Sequence, residues 1–131
     1  MRRIIAGVSI LAIPKSCCDA ALELIVDVKN QKMEEDLAKF TAVIIVNNQS
    51  GRDVAVSQRM FYLELYNRRG IHCRLEDNRD PNIMDCMLLR DGTTSHPYEI
   101  ECTSPDINHP KMIYRLIVRF SGVEGQDLFT F

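Results

Sequence analysis

The chain has 131 residues, of which 46% are hydrophobic and 26% are charged, and this composition excludes a disordered segment and fits one folded domain. Its formal net charge is -2, with 16 Lys and Arg scattered among 18 Asp and Glu. Nucleic-acid binding depends on clustered cations, so we expect no nucleic-acid partner.

The N-terminal segment has the features of a secretory leader. Two arginines precede the uncharged residues 4–13, and Pro14 follows them. This apolar stretch is shorter than the roughly 20 residues that span a bilayer, and proline disfavours a central strand or a helix interior. Small residues up to Ala20 resemble a cleavage region. We therefore predict a signal peptide at 1–20 and a single mature domain at 21–131, in the periplasm or secreted.

Two other interpretations of this segment stay open. The sequence PKSCC resembles the lipidation site of bacterial lipoproteins, in which Cys17 or Cys18 would carry a lipid and anchor the chain to the envelope. Pro14 and Lys15 depart from that pattern. Alternatively, the leader is retained in the cytosol and residues 4–13 pair as an edge strand. We expect membrane association only through such a lipid or through an uncleaved leader.

From Leu22 onward, apolar and polar residues alternate with the two-residue period of β-strands. Five segments show this pattern: LELIVDVKN, MFYLELYN, IHCRL, PYEIEC and IYRLIVRF. FTAVIIVNN has an unbroken apolar run, as in a strand covered on both sides, and DLFTF is expected to close the sheet. Turn-forming sequences separate them, such as NNQSG, NRRG, RDG and SGVEG. The segment KMEEDLAKF is predicted to form a helical turn or a polar connection. The pattern as a whole predicts an all-β antiparallel sandwich of about seven or eight strands.

Three segments, VIIVNNQSGRDVAV, LLRDGTTSHPYEIE and YRLIVRF, resemble exported immunoglobulin-like sandwich domains of bacteria. The first resembles a strand that leads into an Asn-rich turn, and the second resembles the glycine step before a middle strand. The third is similar to a late strand with the pattern Tyr-x-Leu-x-Val. The resemblance covers most of residues 22–131 and implies an immunoglobulin-like sandwich with a binding or structural role. It implies no catalytic residue, and the tryptophan of antibody domains is missing.

Removal of the leader would leave Cys73, Cys86 and Cys102. In an oxidising compartment, Cys86 could form a disulfide with either of the other two and stabilise the fold by roughly 2–4 kcal/mol. The alternative is that all three are thiols that behave as small apolar residues. No Cys-x-x-Cys spacing is present, so we predict no catalytic thiol.

Oxygen ligands cluster in the segment EDNRDPNIMD, which contains Glu76, Asp77, Asp80 and Asp85. Such a cluster can hold Ca²⁺. The spacing differs from that of an EF-hand and Arg79 lies in its middle, so a solvated acidic turn is the preferred interpretation. The histidines lack paired ligand spacing for zinc. We therefore expect no metal and no cofactor.

Charged residues also line two predicted strands: Glu99 and Glu101 on one, and Arg115 and Arg119 on another. If these strands pair, the charges form a cross-strand ladder. The alternative is a basic stripe for an anionic partner.

Tyr62 and Tyr66 lie on the polar face of their predicted strand, where tyrosines suit a contact surface. No catalytic motif can be identified, and we predict that the protein is not an enzyme. We expect an exported binding or structural accessory domain of the cell envelope that contacts a protein or a glycan. One alternative resembles small proteinase inhibitors and presents EDNRDPN or SPDINHP to an enzyme. A second is a hydrolase or metal-dependent enzyme that gathers His96, His109 and a carboxylate.

Overall fold

The computed structural model describes residues 22–131, so the predicted leader and the lipidation candidates Cys17 and Cys18 lie outside the described residues. The strands are β1 (Leu22–Glu34), β2 (Leu37–Asn48), β3 (Val54–Val56), β4 (Tyr62–Tyr66), β5 (His72–Cys73), β6 (Glu76–Asp77), β7 (Met87–Leu89), β8 (Tyr98–Ser104), β9 (Tyr114–Phe120) and β10 (Val123–Phe129). One 3₁₀ turn, Gln58–Met60, precedes β4. None of the helices in this part of the chain could cross a membrane.

The strands form two four-stranded antiparallel sheets and one small ribbon. The first sheet has the order β1-β2-β8-β6, the second has the order β10-β9-β4-β5, and β3 pairs with β7. This arrangement confirms the all-β antiparallel class. The described part of the chain has more strands than predicted because β3, β5, β6 and β7 are only two or three residues long.

Aromatic side chains join the two sheets across the core. Phe40 of the first sheet meets Phe129 of the second with ring centroids 5.3 Å apart. Phe61 meets Tyr98 at 5.3 Å and Phe120 at 5.4 Å. Phe61 directly precedes β4, and the other rings come from inward positions of the alternating strands, as expected for sheets that pack face to face.

The edge strands β1 and β10 lie against each other without forming a ladder. The Val28 N–H donates to Asp127 Oδ2 at 2.7 Å. A Cβ at Gly125 would lie 2.7 Å from the Leu24 carbonyl oxygen, so only glycine permits this approach. On the opposite side, the chain crosses directly from β5 in the second sheet to β6 in the first. The contact between β1 and β10 covers one long edge of the sandwich, and β5 and β6 cover part of the other.

The segment KMEEDLAKF is a β-hairpin, and the predicted helical turn or polar connection is wrong. β1 continues to Glu34, and β2 begins at Leu37. The two turn residues, Glu35 and Asp36, have φ values of 50° and 67°. Positive φ at both positions matches the right-handed twist of a two-residue hairpin. The sequence hides this turn because neither residue is the usual Asn or Gly.

The predicted cross-strand charge ladder is also wrong. β8, which contains Glu99 and Glu101, lies in the first sheet, whereas β9 lies in the second. Arg119 instead pairs with Glu64 of β4 and Glu124 of β10. Alternation identifies the exposed face of a strand, but it carries no information on which strand lies beside it.

Candidate functional site

The two loop segments that carry the immunoglobulin-like resemblance meet at a buried asparagine. Asn48 is 0% exposed, and its Nδ2 donates to the carbonyl oxygens of Arg52 and Leu89, each at 2.9 Å. Its Oδ1 accepts the N–H and the hydroxyl of Ser50. Its backbone carbonyl accepts the Gly92 N–H at 2.7 Å. Every polar atom of the side chain is thus satisfied, which makes Asn48 a structural anchor rather than a ligand.

Neighbouring polar groups extend this anchor. The Gly51 N–H donates to Asp91 Oδ1 at 2.9 Å, and the Asp91 N–H donates to Asp53 Oδ1 at 3.0 Å. The Ser95 hydroxyl oxygen accepts the Val46 N–H at 2.9 Å. The loops at this end of the sandwich, which we name the Asn48 end, are therefore held together by internal hydrogen bonds.

The three cysteines of the described chain are free thiols. Cys73 and Cys102 are buried, and Cys86 is exposed. Burial raises the pKa of Cys73, and it raises the pKa of Cys102 to about 12. The structure contains no bridge between Cys86 and either partner in residues 22–131, and the proposed disulfide stays a prediction for the oxidised protein.

The four carboxylates of the calcium candidate point to different partners. Asp77 forms an ion pair with Arg79, and Asp85 accepts the Ser57 hydroxyl and the Gln58 N–H. Asp80 caps its own turn by accepting the Asn82 N–H, and Glu76 is exposed. Within residues 22–131, no group of three or more His, Cys, Asp or Glu side chains could hold a metal ion. The calcium candidate is therefore not supported, because local hydrogen bonds disperse its ligands.

The structure does not bring His96 and His109 together. His96 stacks on Tyr98, with ring centroids 4.3 Å apart, where β8 begins. His109 follows the other end of that strand, beyond Ser104. A seven-residue strand is roughly 20 Å long, so one carboxylate cannot serve both histidines. The specific constellation of the enzyme alternative is absent.

Both loops of the inhibitor alternative are fastened to the body of the protein. In the first, Arg79 donates to the carbonyl oxygens of Gln58 at 2.7 Å and Phe61 at 2.6 Å. In the second, Asp106 accepts three hydrogen bonds from the Arg74 side chain and one from the Arg74 N–H, and Ile107 is buried. Neither loop stands free in the way that suits insertion into an enzyme cleft.

The outer face of the second sheet collects the exposed tyrosine and several charged and apolar side chains. We define this face by Tyr62, Glu64, Tyr66, His72, Arg115, Ile117, Arg119, Glu124, Gln126 and Leu128. The strand register places Tyr62 beside Arg119, and Arg119 beside Glu124. It also places Tyr66 between His72 and Arg115. Tyr62 and Leu128 are each 59% exposed, at opposite ends of the face.

An internal ion pair orders the centre of this face. Arg119 Nη1 contacts Glu64 Oε1, and Arg119 Nε lies 3.3 Å from Glu124 Oε1. The hydrogen bond from Arg119 holds the pKa of Glu64 below its usual value. Ile117 is only 7% exposed although it lies on the outer face, because its neighbours cover it. The guanidinium beside Tyr62 is therefore held in place before any partner arrives.

Clefts flank the outer face at both ends. One, of about 330 Å³, is lined by Met60, Tyr62, Arg119 and Gly122. The other, of about 260 Å³, is lined by Asn67, Arg68, Arg115 and Leu128.

Sequence reasoning identified Tyr62 and Tyr66, and the structure places both on this face. It did not identify Leu128 as part of this face, because alternation does not show which strands lie beside β4. Tyr66 is half-buried, with its ring against His72 at 5.5 Å, so Tyr62 is the more accessible of the two.

Comparisons with known proteins give information on the fold alone. No protein-family model matches the chain, and the search of curated proteins found no relative. A similar solved structure is that of a "putative lipoprotein (ycdA)" from Bacillus subtilis, with a TM-score of 0.53 and 12% sequence identity. The likeness covers 85% of this chain and 37% of that chain. At this identity it supports a shared all-β architecture.

Proposed function

We propose that this chain is an exported, non-catalytic binding module of the cell envelope, and that the outer face of the second sheet is its contact surface. The observation that carries the proposal is the pairing of exposed Tyr62 with the positioned Arg119, with exposed Leu128 at the other end of the same face. Tyrosine and arginine are enriched in protein interfaces and among the residues that dominate binding energy. The partner is a protein or a glycan.

Two observations support the placement at the envelope. The N-terminal residues have the charge and apolar pattern of a leader. The similar structure from Bacillus subtilis is described as a lipoprotein. An immunoglobulin-like sandwich is the finer fold that we propose, and lipidation at Cys17 or Cys18 is the alternative to simple cleavage.

The contact surface can be tested with two double variants of matched exposure. The first, Tyr62→Ser with Leu128→Ser, removes both exposed apolar groups from the outer face. The second, Ile25→Ser with Glu99→Ser, alters the exposed face of the first sheet. Each is immobilised beside the wild-type protein and exposed to an envelope extract. We expect the first variant to retain at least about tenfold less partner than the wild-type protein, and the second variant to retain as much as the wild-type protein. Equal retention by both variants would contradict the assignment of the face.

Export can be tested separately by intact mass of the full chain expressed in a bacterium. Loss of the first 20 residues indicates cleavage, and an added diacylglycerol mass at Cys17 or Cys18 indicates anchoring. Recovery of the full-length chain from the cytosol would contradict the envelope placement.

A further inference from the structure

The end of the sandwich opposite the Asn48 end carries two adjoining clefts. The turn between β4 and β5, the connection between β8 and β9, and the end of β10 meet there, because Tyr66 pairs with Arg115 and Phe129 pairs with Tyr114. The first cleft, of about 250 Å³, is lined by Arg69, His109 and Met112 among others. The second is the cleft of about 260 Å³ beside Leu128. Asn67, Arg68 and Tyr114 line both, so Arg68 stands between them.

Positive charge in these clefts lacks internal compensation. In residues 22–131, Arg68, Arg69 and Arg115 form no ion pair with a carboxylate. Asp106 is the one acidic residue of the described chain that lines either cleft, and Arg74 already binds its carboxylate. A protein with a net charge of -2 thus concentrates unpaired cations at one end.

Exposed apolar side chains stand among these arginines. Ile71 is 56% exposed, Ile113 is 48% exposed and Leu128 is 59% exposed. Each of them lines one of the two clefts. The combination of cations with exposed aliphatic groups fits a partner that offers both acidic and apolar groups.

The turn that carries Arg68 and Arg69 is preorganised. Asn67 Oδ1 accepts the Arg69 N–H at 2.9 Å and the Ile71 N–H at 3.0 Å. The backbone closes the turn twice more, through the Gly70 N–H on the Asn67 carbonyl and the Asn67 N–H on the Ile71 carbonyl. Because the turn is fixed before binding, less conformational entropy is lost when a partner binds.

We propose that an extended, acidic protein segment with alternating apolar side chains docks across Arg68, with its carboxylates on the three arginines and its apolar groups beside Ile113 and Leu128. This inference rests on the proposed binding function and names the class of partner. A small free anion would leave the aliphatic groups unused.

The geometry also disfavours a bilayer as the occupant. Leu22, where β1 begins, pairs with Asn48 and lies at the Asn48 end. The seven residues of β9 separate the two ends by roughly 20 Å. An attachment through residues before Leu22 would therefore join the domain at the end opposite the arginine cluster.

The test uses a random peptide library displayed on phage and selected on the exported protein. We expect selected peptides to be rich in Asp and Glu with interspersed Leu, Ile or Val. Binding of one such synthetic peptide should fall at least about tenfold in the variant Arg68→Ser with Arg69→Ser, and should weaken as salt rises. The matched control is Arg52→Ser with Arg90→Ser, which removes two exposed arginines at the Asn48 end and should leave binding unchanged.

Three outcomes would overturn the inference. The first is a set of selected peptides that are not enriched in Asp and Glu. The second is an equal loss of peptide binding in the two arginine variants. The third is that polyphosphate or anionic vesicles compete with the peptide at the same charge concentration. Peptide selection samples the arginine cluster and Leu128, whereas the extract experiment, repeated with Tyr62→Ser alone, samples the opposite end of the outer face. If the peptide test fails but retention of a partner from the extract still depends on Tyr62, this inference alone is wrong. If the peptide test fails and retention does not depend on Tyr62, the proposed function is wrong as well.

Discussion

Tyr62 and Arg119 lie directly opposite each other on paired strands, β4 and β9, and both side chains project from the outer face of the second sheet. Arg119 is held by Glu64 and Glu124, so the ring of Tyr62 lies beside a fixed cation. In this pairing Tyr62 remains 59% exposed. This relationship defines the surface that the account assigns to binding.

Replacement of Asn48 by alanine should destabilise the fold strongly. The carbonyl oxygens of Arg52 and Leu89 and the polar groups of Ser50 would lose their buried partner. We expect the free energy of unfolding in urea to fall by about 2–4 kcal/mol. The control is Asn47→Ala, which removes longer, exposed hydrogen bonds and should cost less than about 1 kcal/mol. Similar losses for the two variants would refute the anchor.

Replacement of Gly125 by valine should disrupt the contact between the sheet edges. Even the first added atom would lie 2.7 Å from the Leu24 carbonyl oxygen and 2.8 Å from Leu24 Cβ. We expect a loss of at least about 2 kcal/mol in the free energy of unfolding, measured by thermal or urea denaturation. Gln126→Val at the next, exposed position should change stability by less than about 0.5 kcal/mol. A stable Gly125 variant would show that β10 does not approach β1 this closely.

The Asp77–Arg79 pair predicts a pH dependence. The hydrogen bond from Arg79 holds the pKa of Asp77 below the ordinary value of 3.8. Because the folded-state pKa is depressed, the stabilisation is complete above the unfolded pKa and is lost as the pH falls through the lower folded value. The stability difference between the wild-type protein and Arg79→Met should therefore be largest near about pH 7 and shrink below about pH 4.

A second part of the stability difference between the wild-type protein and Arg79→Met should not depend on pH. Arg79 also donates to the carbonyl oxygens of Gln58 and Phe61, which carry no ionisable group. A residual loss of about 1–2 kcal/mol should persist at low pH. When Asp77→Asn is also present, the stability loss caused by Arg79→Met should no longer depend on pH. If it still depends on pH, another group is responsible.

Thiol labelling should separate the cysteines by exposure. Cys86 is exposed, whereas Cys73 and Cys102 are buried with raised pKa values. In the reduced, native protein without its leader, a water-soluble thiol reagent should modify one thiol rapidly and the other two only after denaturation. The fast phase should disappear in Cys86→Ser. A fast phase that emerges only after a reductant is added would instead reveal the disulfide that the sequence suggested.

The alternation of apolar and polar residues predicted the longer strands and their buried faces, as in β8 and β9. It could not show that these strands belong to different sheets, because pairing depends on the whole chain. In the sequence, Arg79 is a charge that disfavours a calcium loop; in the structure it donates to the carbonyl oxygen of Phe61, 18 residues away. The arginine cluster was missed for the same reason, since Arg68 and Arg115 are 47 positions apart in the sequence.

The most direct test of the central claim is site-specific photo-crosslinking in living cells. A photoreactive phenylalanine analogue replaces Tyr62 in one strain and Glu99, on the exposed face of the first sheet, in another. We expect a discrete crosslinked species from position 62 that is absent from position 99 and is lost when Leu128→Ser is also present. An adduct of equal yield at both positions, or one at position 99 alone, would contradict the assignment of the outer face of the second sheet as the contact surface.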